Sequence, residues 1–208
     1  MSSASTAEPS RPYHHGDLRA ALLEVALDLA REGGPAAVSL REVTRRVGVS
    51  PAAAYRHVRD REALLRAAAQ EIQARMVVPM RERLASSGER ADAAARALDR
   101  LRGVGLGYID FALAEPGWFA TAMLGVAEPP ADGPAHAAPF LELLAALDDC
   151  VETGALSPGR RRGAEFSCWA AVHGCAELLV HGPLRGADPE TVRVIAEKVV
   201  DDIIAGIR

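Results

Sequence analysis

The sequence has few aromatic residues, a single lysine (Lys198), three cysteines and no long apolar run. Three cysteines cannot form a fully paired disulfide framework, so we expect free, buried thiols at Cys150, Cys168 and Cys175. No apolar run reaches the ~18 residues that a membrane-spanning helix requires. The first residues also lack the apolar core of a secretory signal before Tyr13. From these absences we expect a cytoplasmic protein without disulfide bonds.

The composition is that of an ordinary globular chain, and its charge is unevenly distributed. With 208 residues, 49% hydrophobic and 25% charged, the chain has room for a small domain and a larger one. The net charge is −4, but the segment from Arg11 to Arg61 contains nine arginines and six acidic residues, a net charge of +3. This asymmetry favours phosphate binding near the N-terminus, although a solvated face of mixed charge accounts for it almost as well.

Residues 39–57, SLREVTRRVGVSPAAAYRH, have the pattern of two short helices joined by a tight turn. Ser39 can cap the first helix, and Gly48 can end it in the left-handed conformation. Ser50 can cap the second helix, with Pro51 at its first position. This pattern is typical of the helix-turn-helix motif, whose second helix enters the DNA major groove. The alternative is an alanine-rich helical hairpin that binds no DNA.

The residue types of the second helix suit contact with DNA. Small side chains let a helix approach base edges closely, and polar side chains at its end can hold the backbone. We predict that Ala52, Ala53 and Arg56 lie close to the edges of the DNA bases. We predict phosphate contacts for Ser39, Thr44, Ser50, Tyr55, His57 and Arg61.

With its flanks, this segment resembles the DNA-binding domain of the tetracycline-repressor (TetR) family of bacterial transcription regulators. The resemblance covers a long first helix, the Gly48-Val49-Ser50 turn, the Tyr55-Arg56-His57-Val58 stretch and an Arg61-Glu62-Ala63-Leu64 start to the fourth helix. Val58 replaces the usual Phe, which concerns core packing. Pro51 and the alanines replace the commoner Lys-Gly-Thr type of sequence, so no base preference transfers from relatives.

The resemblance implies an all-α fold in two domains. We expect a flexible arm at 1–16, the helix-turn-helix domain at 17–60, and a C-terminal ligand-binding and dimerisation domain at 61–208. The predicted C-terminal helices span 61–85 with a kink at Pro79, 91–115, 140–151, 157–179 and 189 onward. The stretch 128–139 is rich in Pro and Ala and is predicted to be a mobile loop.

Further motifs in the C-terminal domain resemble one subgroup of the family. They are a Tyr-x-x-Phe-Ala…Pro-Gly stretch that starts at Tyr108, and a Trp-x-x-x-His-Gly motif at Trp169, His173 and Gly174. Seven of the nine aromatic residues lie in this domain, which fits an apolar ligand cavity between helices; plain core filling is the alternative. The candidate ligand-binding residues are Tyr108, Phe111, Trp118, Phe119, Phe140, Phe166 and Trp169.

Two other patterns in this domain have simpler interpretations than a catalytic or metal site. The run Gly103–Gly107 follows no strand, so we reject a nucleotide site; the glycines allow close helix packing or open space for a ligand. His173 is favoured as a hydrogen-bonded core or interface residue. Outside this domain, His14 and His15 near the N-terminus have no partners at metal-binding spacing. We therefore predict no metal, and we predict no cofactor.

In the family, the last two long helices of each subunit pair into a four-helix bundle. The resemblance therefore implies a homodimer with an interface at Ala171, Gly174, Val192, Ile195 and Val199; burial within the monomer is the alternative. It also implies a repressor that binds a palindromic double-stranded DNA operator and is released by a small apolar effector. Two other hypotheses stay open: a helix-turn-helix adaptor that binds protein without a ligand and, least supported, a helical enzyme.

Overall fold

The computed structural model describes residues 17–85, 92–124 and 137–208, and within these ranges it contains ten α-helices and no strand. The all-α prediction is confirmed. The predicted arm and most of the predicted loop at 128–139 lie outside the described residues. The helices are α1 (Asp17–Ala37), α2 (Leu40–Val47), α3 (Pro51–Ala54), α4 (Arg61–Ala85), α5 (Ala93–Ala114), α6 (Pro116–Leu124), α7 (Ala138–Glu152), α8 (Pro158–Arg161), α9 (Ala164–Val180) and α10 (Pro189–Ile207).

The capping residues predicted for the helix-turn-helix motif are all confirmed. Ser39 Oγ accepts a hydrogen bond from the N–H of Glu42 at 3.2 Å, at the start of α2. Gly48 ends α2 with φ of 78°, in the left-handed region. Ser50 Oγ accepts from the N–H of Ala53 at 3.2 Å and Pro51 opens α3. Each cap satisfies a backbone group that a helix end leaves unpaired, so this geometry is set locally.

Helices α4 and α5 pack closely because α5 has a glycine, Gly107, where it crosses α4. α4 runs through Pro79 without ending there. A Cβ atom added to Gly107 would lie 2.6 Å from the carbonyl oxygen of Pro79 and 2.7 Å from the backbone nitrogen of Met80. No side chain fits in that space. Close helix packing is therefore confirmed as the role of Gly107.

Two parts of the predicted helix pattern are wrong. The predicted helix from Ser157 to Leu179 is two helices, α8 and α9, since Arg162 is extended (ψ 116°) and Gly163 has φ of 81°. A left-handed residue interrupts the helical hydrogen-bond ladder. In addition, the sequence analysis ended the preceding helix correctly before Pro116 but assigned no helix to 116–124, where the structure has α6.

A continuous apolar core joins the two domains. It extends from Leu22 and Leu27 on α1, through Ile72 and Met76 on α4, to Val200 on α10. None of the described helices is both long enough and apolar enough to cross a membrane. The described residues also contain no group of three or more His, Cys, Asp or Glu side chains arranged for a metal ion.

Candidate DNA-binding surface and ligand cavity

The short helix α3 and the turn after it present an outer face of two small residues followed by two polar ones. Pro51, Ala52, Tyr55 and Arg56 are exposed, with Tyr55 57% exposed. Ala53 and His57 are half-buried. Because the buried residues of this segment anchor it to α1 and α2, its outer face is held in a fixed orientation.

Of the four arginines in the motif, two are engaged by acidic side chains and two are not. Arg45 and Arg46 both bind Glu42, at 2.6 Å and 3.0 Å, and their hydrogen bonds lower the pKa of Glu42 to about 2. Arg41 and Arg56 make no side-chain hydrogen bond or ion pair with the described residues. Their guanidinium groups can therefore bind phosphate or bases without breaking a contact within the protein.

Arg41 is a candidate residue that the sequence analysis missed. It lines a groove of about 120 Å³ between α2 and α3, together with Thr44 and Tyr55. Arg41 and Tyr55 are both exposed there, although they lie 14 positions apart in the sequence. The available sequence signal was the helical spacing from Arg41 to Thr44, which places both residues on one face of α2.

Two predicted phosphate contacts have other partners in the structure. Arg61 donates from Nε to the carbonyl oxygen of Val38 at 2.7 Å and from Nη2 to that of Pro35 at 2.6 Å. Its guanidinium therefore secures the connection from α1 to α2. Thr44 is buried, and its hydroxyl donates to the carbonyl oxygen of Arg41 at 3.0 Å. Neither side chain points a free polar group towards the outer face of α3.

A second candidate site is a small apolar cavity in the C-terminal domain, between α4, α5, α7, α9 and α10. Its volume is about 30 Å³, which is room for roughly two water molecules. It is lined by Met80, Leu101, Val104, Gly105, Tyr108, Pro139, Leu143, Cys168, Trp169, Val172, Val200, Ile203 and Ile204.

The seven predicted ligand-binding aromatic residues do not form one site. Tyr108 and Trp169 line the cavity. Phe119 and Phe140 lie behind them, with ring centroids 5.8 Å from Tyr108 and 5.4 Å from Trp169 respectively. Phe166 is 65% exposed and is not part of the cavity wall.

The only tyrosine hydroxyl in the cavity wall is hydrogen-bonded to the neighbouring histidine. Tyr108 Oη lies 3.0 Å from Nδ1 of His173, and burial raises the pKa of this phenol. His173 also stacks on Trp169, with the two rings 15° from parallel. The predicted hydrogen-bonded role of His173 is confirmed, and Tyr108 presents an apolar ring to the cavity.

The remaining two aromatic residues, Phe111 and Trp118, lie where the two domains meet. Trp118 Nε1 donates to the carbonyl oxygen of Leu27 on α1 at 2.8 Å, and Phe111 stacks on the Trp118 ring. The guanidinium carbons of Arg31 and Arg75 each lie 5.1 Å from a Trp118 ring centroid. The hydrogen bond and the Arg31 contact attach α6 to α1 of the DNA-binding domain, and the Arg75 contact attaches it to α4.

The residues predicted for the dimer interface are partly exposed. A Cβ atom at Gly174 would meet no atom within 4 Å, and Ala171 is half-buried. Val192, Ile195 and Val199 pack partly against the core of their own chain. Large apolar side chains nearby are exposed: Phe166 and Leu178 on α9 and Val194 on α10. The two helices therefore retain apolar surface open to solvent.

Comparisons with known proteins match both parts of the chain. The family model described as bacterial regulatory proteins, tetR family, matches residues 22–68. The model described as tetracyclin repressor-like, C-terminal domain, matches residues 101–203. No curated protein matches the chain.

Among solved structures, a protein of unknown function from Rhodococcus sp. RHA1 is 30% identical, with a TM-score of 0.73, and the match covers 95% of this chain and 98% of that one. The regulator FadR from Bacillus subtilis, in complex with stearoyl-CoA, is 14% identical with a TM-score of 0.66 over 91% and 99% of the two chains. A TetR protein from Acinetobacter baumannii AYE, in complex with minocycline, is 18% identical with a TM-score of 0.57 over 89% and 93%. The last two similarities concern the fold. With both domains matched in order, the chain belongs to the TetR family of DNA-binding transcriptional regulators.

Proposed function

We propose that this chain is a repressor that binds a palindromic operator as a homodimer and is released from it by a small apolar molecule. The observation that carries the proposal is the exposed face formed by Arg41, Tyr55 and Arg56, whose two arginines have no acidic partner among the described residues. Arginine side chains without acidic partners in the protein are available to bind the phosphates of a DNA backbone.

In this proposal, the two sides of the motif have different roles on DNA. Arg41 and Tyr55 bind backbone phosphates beside the groove between α2 and α3. Arg56, with the small Ala52 next to it on the exposed face, lies at base edges in the major groove. Ser39, Ser50, Ala53 and His57 stay predicted contacts at the edge of this surface.

The proposed homodimer forms through α9 and α10. The exposed Phe166, Leu178 and Val194 support this interface, since burying them against a second copy would remove apolar surface from water. Around them lie the predicted residues Ala171, Gly174, Val192, Ile195 and Val199. A two-fold dimer would place two α3 helices in successive major grooves, with half-sites about 34–36 Å apart or a multiple of that distance.

Release by a ligand requires contact between the cavity and the DNA-binding domain. Tyr108 lines the cavity on α5 and contacts Phe119 on α6. α6 also holds α1 through Trp118, and Arg31 of α1 donates to Glu115 at 2.7 Å. We infer that a change in cavity shape moves α6 and thereby α1. Such coupling demands that the ligand bind the two states with different affinity.

The test of this function is binding of the purified protein to DNA upstream of its own gene, measured by fluorescence anisotropy at two salt concentrations. We expect saturable, sequence-selective binding that weakens as salt rises. Tyr55→Ala should remove most of it, whereas Leu141→Ala, a truncation of an exposed side chain on α7, should not. Equal affinity for unrelated DNA, or equal loss in both variants, would contradict the proposal.

A further inference from the structure

The cavity wall is almost entirely apolar, and its polar side-chain groups are the Tyr108 hydroxyl, the Cys168 thiol and the Trp169 indole N–H. None of its lining residues carries a charge. The Tyr108 hydroxyl is engaged by His173, and burial raises the pKa of the Cys168 thiol to about 11, which keeps it neutral. The cluster of Arg81, Arg100, Glu142 and Asp149 is paired within itself and is not part of the wall.

We propose that this cavity binds small, uncharged molecules of hydrocarbon character and excludes carboxylates and other polar ligands, with Gly105 setting the size that it accepts. Transferring a charged group into such a site without a partner is strongly unfavourable, and an unpaired hydroxyl is also penalised. The wall therefore selects by excluding polar groups. The further statement that such a molecule is the effector rests on the proposed repressor function.

Gly105 is the single glycine among the residues that line the cavity. A Cβ atom there would lie 3.1 Å from Cγ2 of Val200 and 3.4 Å from Cγ2 of Val172. Both valines also line the cavity. Unlike Gly107, which contacts the backbone of α4, Gly105 faces side chains that can adjust, so the substitution is tolerable for folding.

Because the cavity is small, ligand binding requires its wall to move. A cavity of about 30 Å³ is smaller than an aromatic ring compound. Such a ligand enters only if side chains on α4, α9 or α10 move outward, among them Met80, Trp169 and Ile203. The expanded state then binds the ligand and the closed state does not, which is the difference in affinity that ligand control requires.

The experiment uses three probes of nearly the same shape: toluene, benzyl alcohol and benzoate. Binding to the full-length protein is measured as the rise in the thermal unfolding midpoint with probe concentration. We expect toluene to bind, benzyl alcohol to bind roughly tenfold more weakly, and benzoate at least about 100-fold more weakly. Toluene should also release the DNA fragment that the wild-type protein binds.

Variants of the wall test the assignment of Gly105. Gly105→Ala should weaken toluene binding at least about tenfold. Adding Val200→Ala should restore most of it, because the two Val200 methyl groups that face the new Cβ, at 3.1 and 3.4 Å, are then absent and only Val172 Cγ2 remains in contact. Gly159→Ala on α8, where a Cβ meets no atom within 4 Å, is the matched control and should bind toluene as the wild type does. Should Gly105→Ala fail to fold, Val200→Ala alone must bind toluene more tightly.

The outcomes separate this inference from the proposed repressor function. Benzoate binding as tight as toluene binding, or no shift with any probe, would overturn the apolar assignment while leaving DNA binding intact. Unchanged toluene affinity in a folded Gly105→Ala protein would overturn the role of Gly105. Selective toluene binding by a protein that binds no DNA would support the cavity chemistry and refute the repressor function.

Discussion

The DNA-binding surface and the cavity are built in different ways. The helix-turn-helix surface lies within residues 39–61, and its helices begin and end at caps that act over three residues. The cavity wall draws on residues from Met80 to Ile204, on five helices. A local motif can be recognised from spacing, whereas a cavity depends on how distant helices pack. Substitutions that change either a local contact or a contact between distant helices test this difference.

The largest expected effect concerns packing between α4 and α5. Gly107→Ala would place a methyl group against the backbone of Pro79 and Met80, so we expect a loss of about 3 kcal/mol in the free energy of unfolding. Urea denaturation measures it, with Gly159→Ala as the control that meets open space. Stability equal to the control would mean that α5 does not pack this closely on α4.

A smaller effect is expected on the DNA-binding surface. Arg41→Gln should weaken operator binding about tenfold and reduce the salt dependence by about one phosphate contact. Arg185→Gln, an exposed arginine between α9 and α10, makes the same change in net charge and should leave affinity nearly unchanged. Fluorescence anisotropy across a salt series distinguishes them; equal losses would indicate that only the total charge matters.

The next prediction tests whether Arg61 stabilises the fold or binds a DNA phosphate. Its hydrogen bonds to the carbonyl oxygens of Pro35 and Val38 predict that Arg61→Gln lowers the free energy of unfolding by about 1 kcal/mol. The slope of DNA binding against salt should stay that of the wild type when the protein is folded. A reduced slope at unchanged stability would instead assign Arg61 to a phosphate, as its sequence position suggested.

The smallest effect is a pH dependence at Glu42. Its pKa is lowered from 4.5 to about 2 by Arg45 and Arg46, so its contribution to stability is present above pH 4.5 and is lost as the pH falls towards 2. Glu42 is only partly buried, and solvent screening makes this contribution small. Denaturation of wild type and Glu42→Gln between pH 6 and about pH 2 should converge at the acid end; a constant difference would exclude the ion pairs.

The accuracy of the sequence analysis followed the range of the interactions involved. Ser39 and Ser50 were identified as caps because each bonds to backbone within three residues. Phe166 was assigned to the cavity from composition alone, and its side chain on α9 is instead 65% exposed. Composition carries no information about which face of a helix a residue occupies.

The sequence by itself determined the all-α fold, the helix-turn-helix motif and its caps, and the TetR family, since these depend on local hydrogen bonds and recognisable spacing. Only the tertiary structure decided that Arg41 and Arg56 have no side-chain partner among the described residues while Arg61 binds carbonyl oxygens, and that two of the seven aromatic residues line a cavity. The physical reason is that side-chain partners and empty space arise between segments far apart in the chain, where no local pattern records them.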